Sequence, residues 1–157
     1  MPFQTRFHIL CVDDDLEACE MLSALMDSYQ IDVTCAQSAT EAWLKIKSER
    51  FDLFMLDAWL PELDGFEFCR QIREVDSRTP ILFYSGAAYD ADKEKAFAAG
   101  ASAFVSKPDV EGLIETMLDL IANAKAAEVA PAWEGNPRRP AEHWYSALLS
   151  RVKTASD

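Results

Sequence analysis

The chain has 157 residues, 50% of them hydrophobic and 27% charged, which fits one globular domain with room for a short extra segment and excludes a disordered chain. Its formal net charge of −12 lies in residues 1–125, where 23 acidic groups face 11 basic ones, while residues 126–157 carry four of each. So acidic a surface repels phosphate backbones, so no nucleic-acid partner is expected, and a cation or a basic protein face suits it better.

Apolar runs and helical periodicities alternate along the chain. Residues 8–12 form a short β-favouring run that ends in Asp13, Asp14 and Asp15. Residues 16–29 then place Ala18, Leu22, Leu25, Met26 and Tyr29 on one helical face. A weak strand at 33–35 precedes a helix over 40–48, with Ser38 or Ala39 near its start and Glu41 in its first turn. The strand over 51–56 ends at Asp57, a loop through Asp64-Gly65 follows, and 66–75 reads as a helix. A strand over 81–84 stops at Ser85-Gly86, and an alanine-rich helix over 88–99 is closed by Gly100. The last strand, 103–105, is broken by Lys107-Pro108, and Asp109 caps a helix through about Ala124. Five strands, each followed by a helix, predict a doubly wound α/β domain with a five-stranded parallel sheet covered on both faces.

Cys11, Cys19, Cys35 and Cys69 form no C-x-x-C pair, and His8 and His143 lie far apart. The thiols read as small core residues in a reducing compartment, with a disulfide the less favoured alternative. Residues 1–6 lack a signal-peptide run and no run reaches membrane-spanning length, so a soluble, cytoplasmic protein with no membrane partner is expected.

Functional groups in doubly wound folds collect at the carboxyl ends of the strands. There the sequence places Asp13, Asp14 and Asp15 after the first strand, Asp57 after the third, Ser85 after the fourth and Lys107 after the fifth. Crowded carboxylates need a compensating cation, and hard oxygen donors favour Mg²⁺. A carboxylate can take a phosphoryl group as an acyl phosphate, while an ammonium and a hydroxyl meet phosphoryl oxygens. Asp15 reads as a helix cap, and Asp64-Gly65 as turn chemistry without a further role.

These residues resemble the receiver domain of response regulators, the family of the small chemotaxis regulators. The resemblance covers about residues 7–124 and is carried by Ile9-Leu-Cys-Val-Asp-Asp14, Leu56-Asp57, Leu60-Pro61, Leu63-Asp-Gly-Phe66, Ser85-Gly86, Ala99-Gly100-Ala101 and Phe104-Val-Ser-Lys107-Pro108. It implies a flavodoxin-like fold. It also implies a phosphoacceptor at Asp57 and Mg²⁺ held by Asp13, Asp14, Asp57 and the main-chain carbonyl of Trp59. Lys107 would pair with the phosphoryl group, Ser85 and Phe104 would form a switch, and Pro108 would follow a bond that is commonly cis. The implied protein is no enzyme beyond its own Mg²⁺-dependent phosphorylation and dephosphorylation. It is a stand-alone switch in a two-component phosphorelay, charged by a sensor histidine kinase or histidine phosphotransfer protein. Its output is a downstream protein bound by the face of the fourth helix, fifth strand and fifth helix, or relay of the phosphoryl group to a second histidine protein.

Three departures from the family stand out. Gly86 replaces a commoner alanine, Phe104 replaces a commoner tyrosine, and the bulky Trp59 sits where a side chain screens the acyl phosphate from water. Trp59 also argues against a hydrolase with an aspartyl phosphoenzyme, which needs an acid–base aspartate at that place. The competing reading is a phosphorylation-independent interaction module, and the full set Asp13, Asp14, Asp57, Ser85 and Lys107 argues against it. Residues 126–157 form a C-terminal extension outside the 1–125 receiver domain, marked by Pro131, Pro137 and Pro140. Trp144, Tyr145, Leu148, Leu149 and Val152 would share one face of a short helix there, to be buried on the domain, on a second copy in a homodimer, or on a partner.

Overall fold

The computed structural model describes residues 6–86 and 89–129. Five strands alternate with five helices: β1 (Phe7–Val12), α1 (Leu16–Asp27), β2 (Ile31–Ala36), α2 (Ala39–Ser48), β3 (Leu53–Leu56), α3 (Gly65–Val75), β4 (Ile81–Ser85), α4 (Asp90–Ala99), β5 (Ala103–Ser106) and α5 (Val110–Val129). All neighbouring strands are parallel, in the order β2-β1-β3-β4-β5. This is the doubly wound, five-stranded α/β architecture expected from the sequence.

Side-chain alternation along the strands divides the interior into two cores. Ile9, Cys11, Leu53 and Met55 point to one face and pack with Cys19 and Met26 of α1 and Leu113, Met117 and Ile121 of α5. Leu10, Val12, Phe54 and Leu56 point to the other, against Ala42 of α2, Phe66, Phe68 and Ile72 of α3, and Ala96 and Ala99 of α4. Strands buried on both faces must be apolar throughout, which is why β3 reads Leu-Phe-Met-Leu.

The helix starts follow their caps. Asp15 Oδ1 accepts from Ala18 N at 3.1 Å, Ser38 Oγ from Glu41 N at 3.1 Å and Asp64 Oδ1 from Glu67 N at 2.7 Å. Gly100, at φ 109°, closes α4 in the left-handed conformation that favours glycine. Asp109 Oδ1 accepts from Gly112 N at 2.9 Å at the start of α5.

Several element ends differ from expectation. The first helix stops at Asp27 rather than near Tyr29, because the chain turns through Gln30 at φ 62°. β2 begins at Ile31, two residues early, with Ile31 buried and Asp32 exposed as suits an edge strand. α5 continues to Val129, through the favourable helix formers Ala126 and Ala127, so the expected division between 125 and 126 falls inside a helix. The expected amphipathic helix after Pro140, and the expected helix start at Ala88, lie outside the described residues.

The reading of four free thiols is corrected for two of them. Cys19 of α1 and Cys35 of β2 form a disulfide, while Cys11 and Cys69 are free and buried. The two partners are 16 residues apart in sequence, but α1 packs beside β2 and brings their Cα atoms to 6.1 Å, within bonding reach. Among the described residues no helix is long and apolar enough to cross a membrane.

Candidate functional site

The order β2-β1-β3 places a reversal of winding between β1 and β3, so the residues following these strands share one crevice. Asp13 N donates to Ala36 O at 3.0 Å and Asp57 N to Val12 O at 3.0 Å, fixing both acids to the sheet edge. Lys107, after β5, reaches across: its Nζ lies 2.7 Å from Asp13 Oδ2 and 3.0 Å from Asp57 Oδ2. Ser85, fully buried at the end of β4, donates its hydroxyl to Asp57 Oδ1 at 3.0 Å, and Trp59 N donates to the same oxygen at 3.1 Å. Side chains from residues 13, 57, 85 and 107, remote in sequence, thus meet as the sequence predicts.

The electrostatics follow from burial and charge. Burial pushes the Asp13 carboxyl above the ordinary aspartate value, and the hydrogen bond from Lys107 only partly offsets this. Burial alone would lower the Lys107 ammonium, but hydrogen bonds to Asp13 and Asp57 outweigh it and hold the group above its ordinary value. The ammonium also sits 5.6 Å from the centre of the Tyr84 ring. Cys11 is pushed up to about 12 and Cys69 to about 11, chiefly by burial, so neither is a thiolate nucleophile at neutral pH.

Above Asp57 opens a cavity of about 450 Å³ lined by Asp14, Asp57, Trp59, Ser85, Gly86, Tyr89 and Asp92. Trp59 is 60% exposed at its rim. Phe104 is half-buried and stacks on Phe83, with ring centres 6.2 Å apart. Among the described residues, no three Asp, Glu, His or Cys side chains stand at spacing suited to a metal; the Lys107 ammonium bonds both Asp13 and Asp57. Two contributors escaped sequence reasoning. Gly65 starts α3 so close under Asp57 that a Cβ there would lie 2.1 Å from the Asp57 main-chain oxygen. Asp92, one acid of the alanine-rich fourth helix, is buried and lines the cavity.

Residues 9–118 match the response regulator receiver domain family, about two-thirds of the chain. The chain belongs to that family. It is a receiver domain of the two-component signalling type. It is 32% identical over 111 residues to a gliding motility regulatory protein of Myxococcus xanthus, covering 69% of this chain and 14% of that protein. It is 35% identical over 100 residues to the alkaline phosphatase synthesis transcriptional regulatory protein PhoP of Bacillus subtilis, covering 64% of this chain and 42% of that protein. The receiver domain therefore spans less than half the length of these curated relatives. Among solved structures, a chemotaxis response regulator of Vibrio cholerae superposes with a TM-score of 0.68 at 29% identity, covering 74% of this chain and 99% of that one.

Proposed function

We propose that Asp57 accepts a phosphoryl group from a phosphohistidine on a sensor histidine kinase or histidine phosphotransfer protein, and that the acyl phosphate switches protein–protein interactions. The observation that carries this reading is the seating of the Asp57 carboxylate. It lines an open cavity and is held by three donors, Lys107 Nζ, Ser85 Oγ and Trp59 N. A carboxylate oxygen of Asp57 attacks phosphorus as the phosphorus–nitrogen bond of the donor breaks, and the bonding pair leaves with the imidazole. Lys107 then offsets charge on one phosphoryl oxygen and Ser85 hydrogen-bonds another, which is where catalysis of such transfers resides.

By the chemistry of its donors, this edge would suit a hard divalent cation once the carboxylates that now bond the Lys107 ammonium turn to it. Asp13, Asp14, Asp57 and the main-chain carbonyl of Trp59 supply oxygens, and the burial that pushes Asp13 up calls for added positive charge at this edge. Mg²⁺, when bound, supplies charge neutralisation on the transferring group. Ser85 and Phe104 form the switch. Retention of the phosphoryl group favours one arrangement of the Ser85 hydroxyl and the Phe104 ring, which biases the face of α4, β5 and α5 toward a downstream protein.

The test is incubation with Mg²⁺ and acetyl phosphate, followed by intact-mass analysis for an acid-stable, base-labile phosphoryl group. Asp57→Asn must abolish it. Absence of labelling in wild type, or equal labelling of the variant, rejects the assignment.

A further inference from the structure

The cavity over Asp57 holds a carboxylate that the phosphoryl chemistry does not use. Asp92, from the first turn of α4, is 8% exposed and lines the cavity. Among the described residues, no side-chain hydrogen bond or ion pair engages it. No buried side-chain oxygen of the described residues is sealed off without a partner, so the Asp92 carboxylate meets the cavity rather than a closed void. A buried carboxylate that opens into a cavity is a place for a cationic hydrogen-bond donor to complete.

The surroundings define what would complete it. Trp59 and Tyr89 line the same cavity and are 60% and 79% exposed. Exposed aromatic faces beside a buried acid suit a guanidinium, which is planar, stacks on rings and pairs with a carboxylate through two parallel hydrogen bonds. The charge count agrees: Asp13, Asp14, Asp57 and Asp92 against Lys107 leave three negative charges, of which a divalent cation offsets two. A free small cation would leave both aromatic rims in water, whereas a protein surface covers them.

We propose that this cavity seats an arginine side chain of the protein that donates the phosphoryl group, with the guanidinium paired to Asp92 and packed against Trp59 and Tyr89. The cation site stands on its own geometry; its assignment to the donor rests on Asp57 being the phosphoacceptor. Asp92 is then a recognition residue that aligns the donor over Asp57.

The full chain, ¹⁵N-labelled and saturated with Mg²⁺, is titrated with acetyl-Gly-Arg-Gly-amide and with the same peptide carrying uncharged citrulline. The Trp59 indole N–H and the Asp92 amide report binding. Saturable shifts with the arginine peptide are expected, weakened about tenfold by Asp92→Asn or by citrulline. Tyr89→Ala, at an exposed position that cannot perturb the core, should weaken binding about threefold. No saturable shift with the arginine peptide, equal shifts with citrulline, or unchanged affinity of both variants overturns the site. Asp57→Asn separates the two readings. If it still labels with acetyl phosphate while the arginine peptide binds through Asp92, the phosphoacceptor falls and the cation site stands. If labelling is lost and no binding is seen, the reverse holds.

Discussion

Gly65→Ala is a small change that should reach the centre of the site. In an exposed helix, glycine to alanine gains up to about 1 kcal/mol from propensity. At residue 65 the added Cβ would meet the main-chain oxygen of Asp57 at 2.1 Å, with Ala58 Cα and Asp57 C each at 3.0 Å. All three are backbone atoms, so no side chain can swing aside. Restoring ordinary contact requires α3 or the Asp57 backbone to move by about 1 Å, given optimal separations near 3.5 Å. Overpacking of this kind costs about 1–3 kcal/mol, which leaves a net loss of up to about 2 kcal/mol after the full propensity gain. With a urea slope of about 2 kcal/mol per molar, the midpoint should fall by up to about one molar. The acetyl phosphate labelling rate should fall by up to about a hundredfold, the usual result of a 1 Å misplacement of a reacting group. Gly86→Ala is the internal control. Among the described residues nothing lies within 4 Å of a Cβ there, so stability should hold or rise by about 0.4–1 kcal/mol. A Gly65→Ala protein as stable as wild type and labelled at the same rate refutes the argument.

Lys107→Met should cut the labelling rate by about 10²–10³, measured with acetyl phosphate. Because the folded-state Lys107 value is raised, its stability contribution is complete below about 10.5 and is lost as pH rises through the higher folded value. The stability gap between wild type and variant should therefore stay flat from neutral pH to about 10; a gap that closes between pH 7 and 9 contradicts this. Asp13 is also raised, and for an acid this means its contribution is present below the unfolded value near 3.9 and lost as pH rises through the folded one. Asp13→Asn should accordingly be more stable than wild type at neutral pH without Mg²⁺, with the gain vanishing in acid, as read by urea unfolding; a less stable variant defeats the sign. Under non-reducing denaturation a thiol assay of residues 1–129 should count two free groups, and removing Cys19 and Cys35 should cost about 3 kcal/mol for a 16-residue closure. Trp59→Asn should shorten the lifetime of the acyl phosphate, followed by intact mass after removal of acetyl phosphate; an equal or longer lifetime disproves shielding by the indole.

The architecture was legible because the strands are almost wholly apolar and each is followed by a helical period. The site residues were legible because a parallel sheet delivers its strand ends to one edge, so Asp57 after Phe-Met-Leu and Lys107 before Pro108 could be placed without coordinates. What escaped depends on contacts between elements. Cys19 and Cys35 share no motif and meet only because α1 lies beside β2. Gly65 sits in a sequence that an ordinary turn would also use, and its need for a bare Cα comes from the Asp57 carbonyl beneath it. Asp92 follows Asp90 in a polar helix whose periodicity does not mark a buried face, so only packing distinguishes the buried acid from its exposed neighbour. Phe51 and Asp52 read as strand but precede β3, with Asp52 instead accepting from His8 N and pairing with Lys125.

The anchoring of α4 carries a mechanical consequence. Its buried apolar side chains are two methyl groups, those of Ala96 and Ala99, against Phe66, Phe68, Cys69 and Ile72 for α3. At about 0.8 kcal/mol for each buried carbon, Ala96 and Ala99 contribute under 2 kcal/mol, less than a single buried phenylalanine can. The helix that carries Asp92 and borders the cavity is thus the cheapest part of the layer to displace. A perturbation at Asp57 worth only a few times thermal energy would be commensurate with shifting it against α3, whose larger buried side chains tie it more firmly to the sheet.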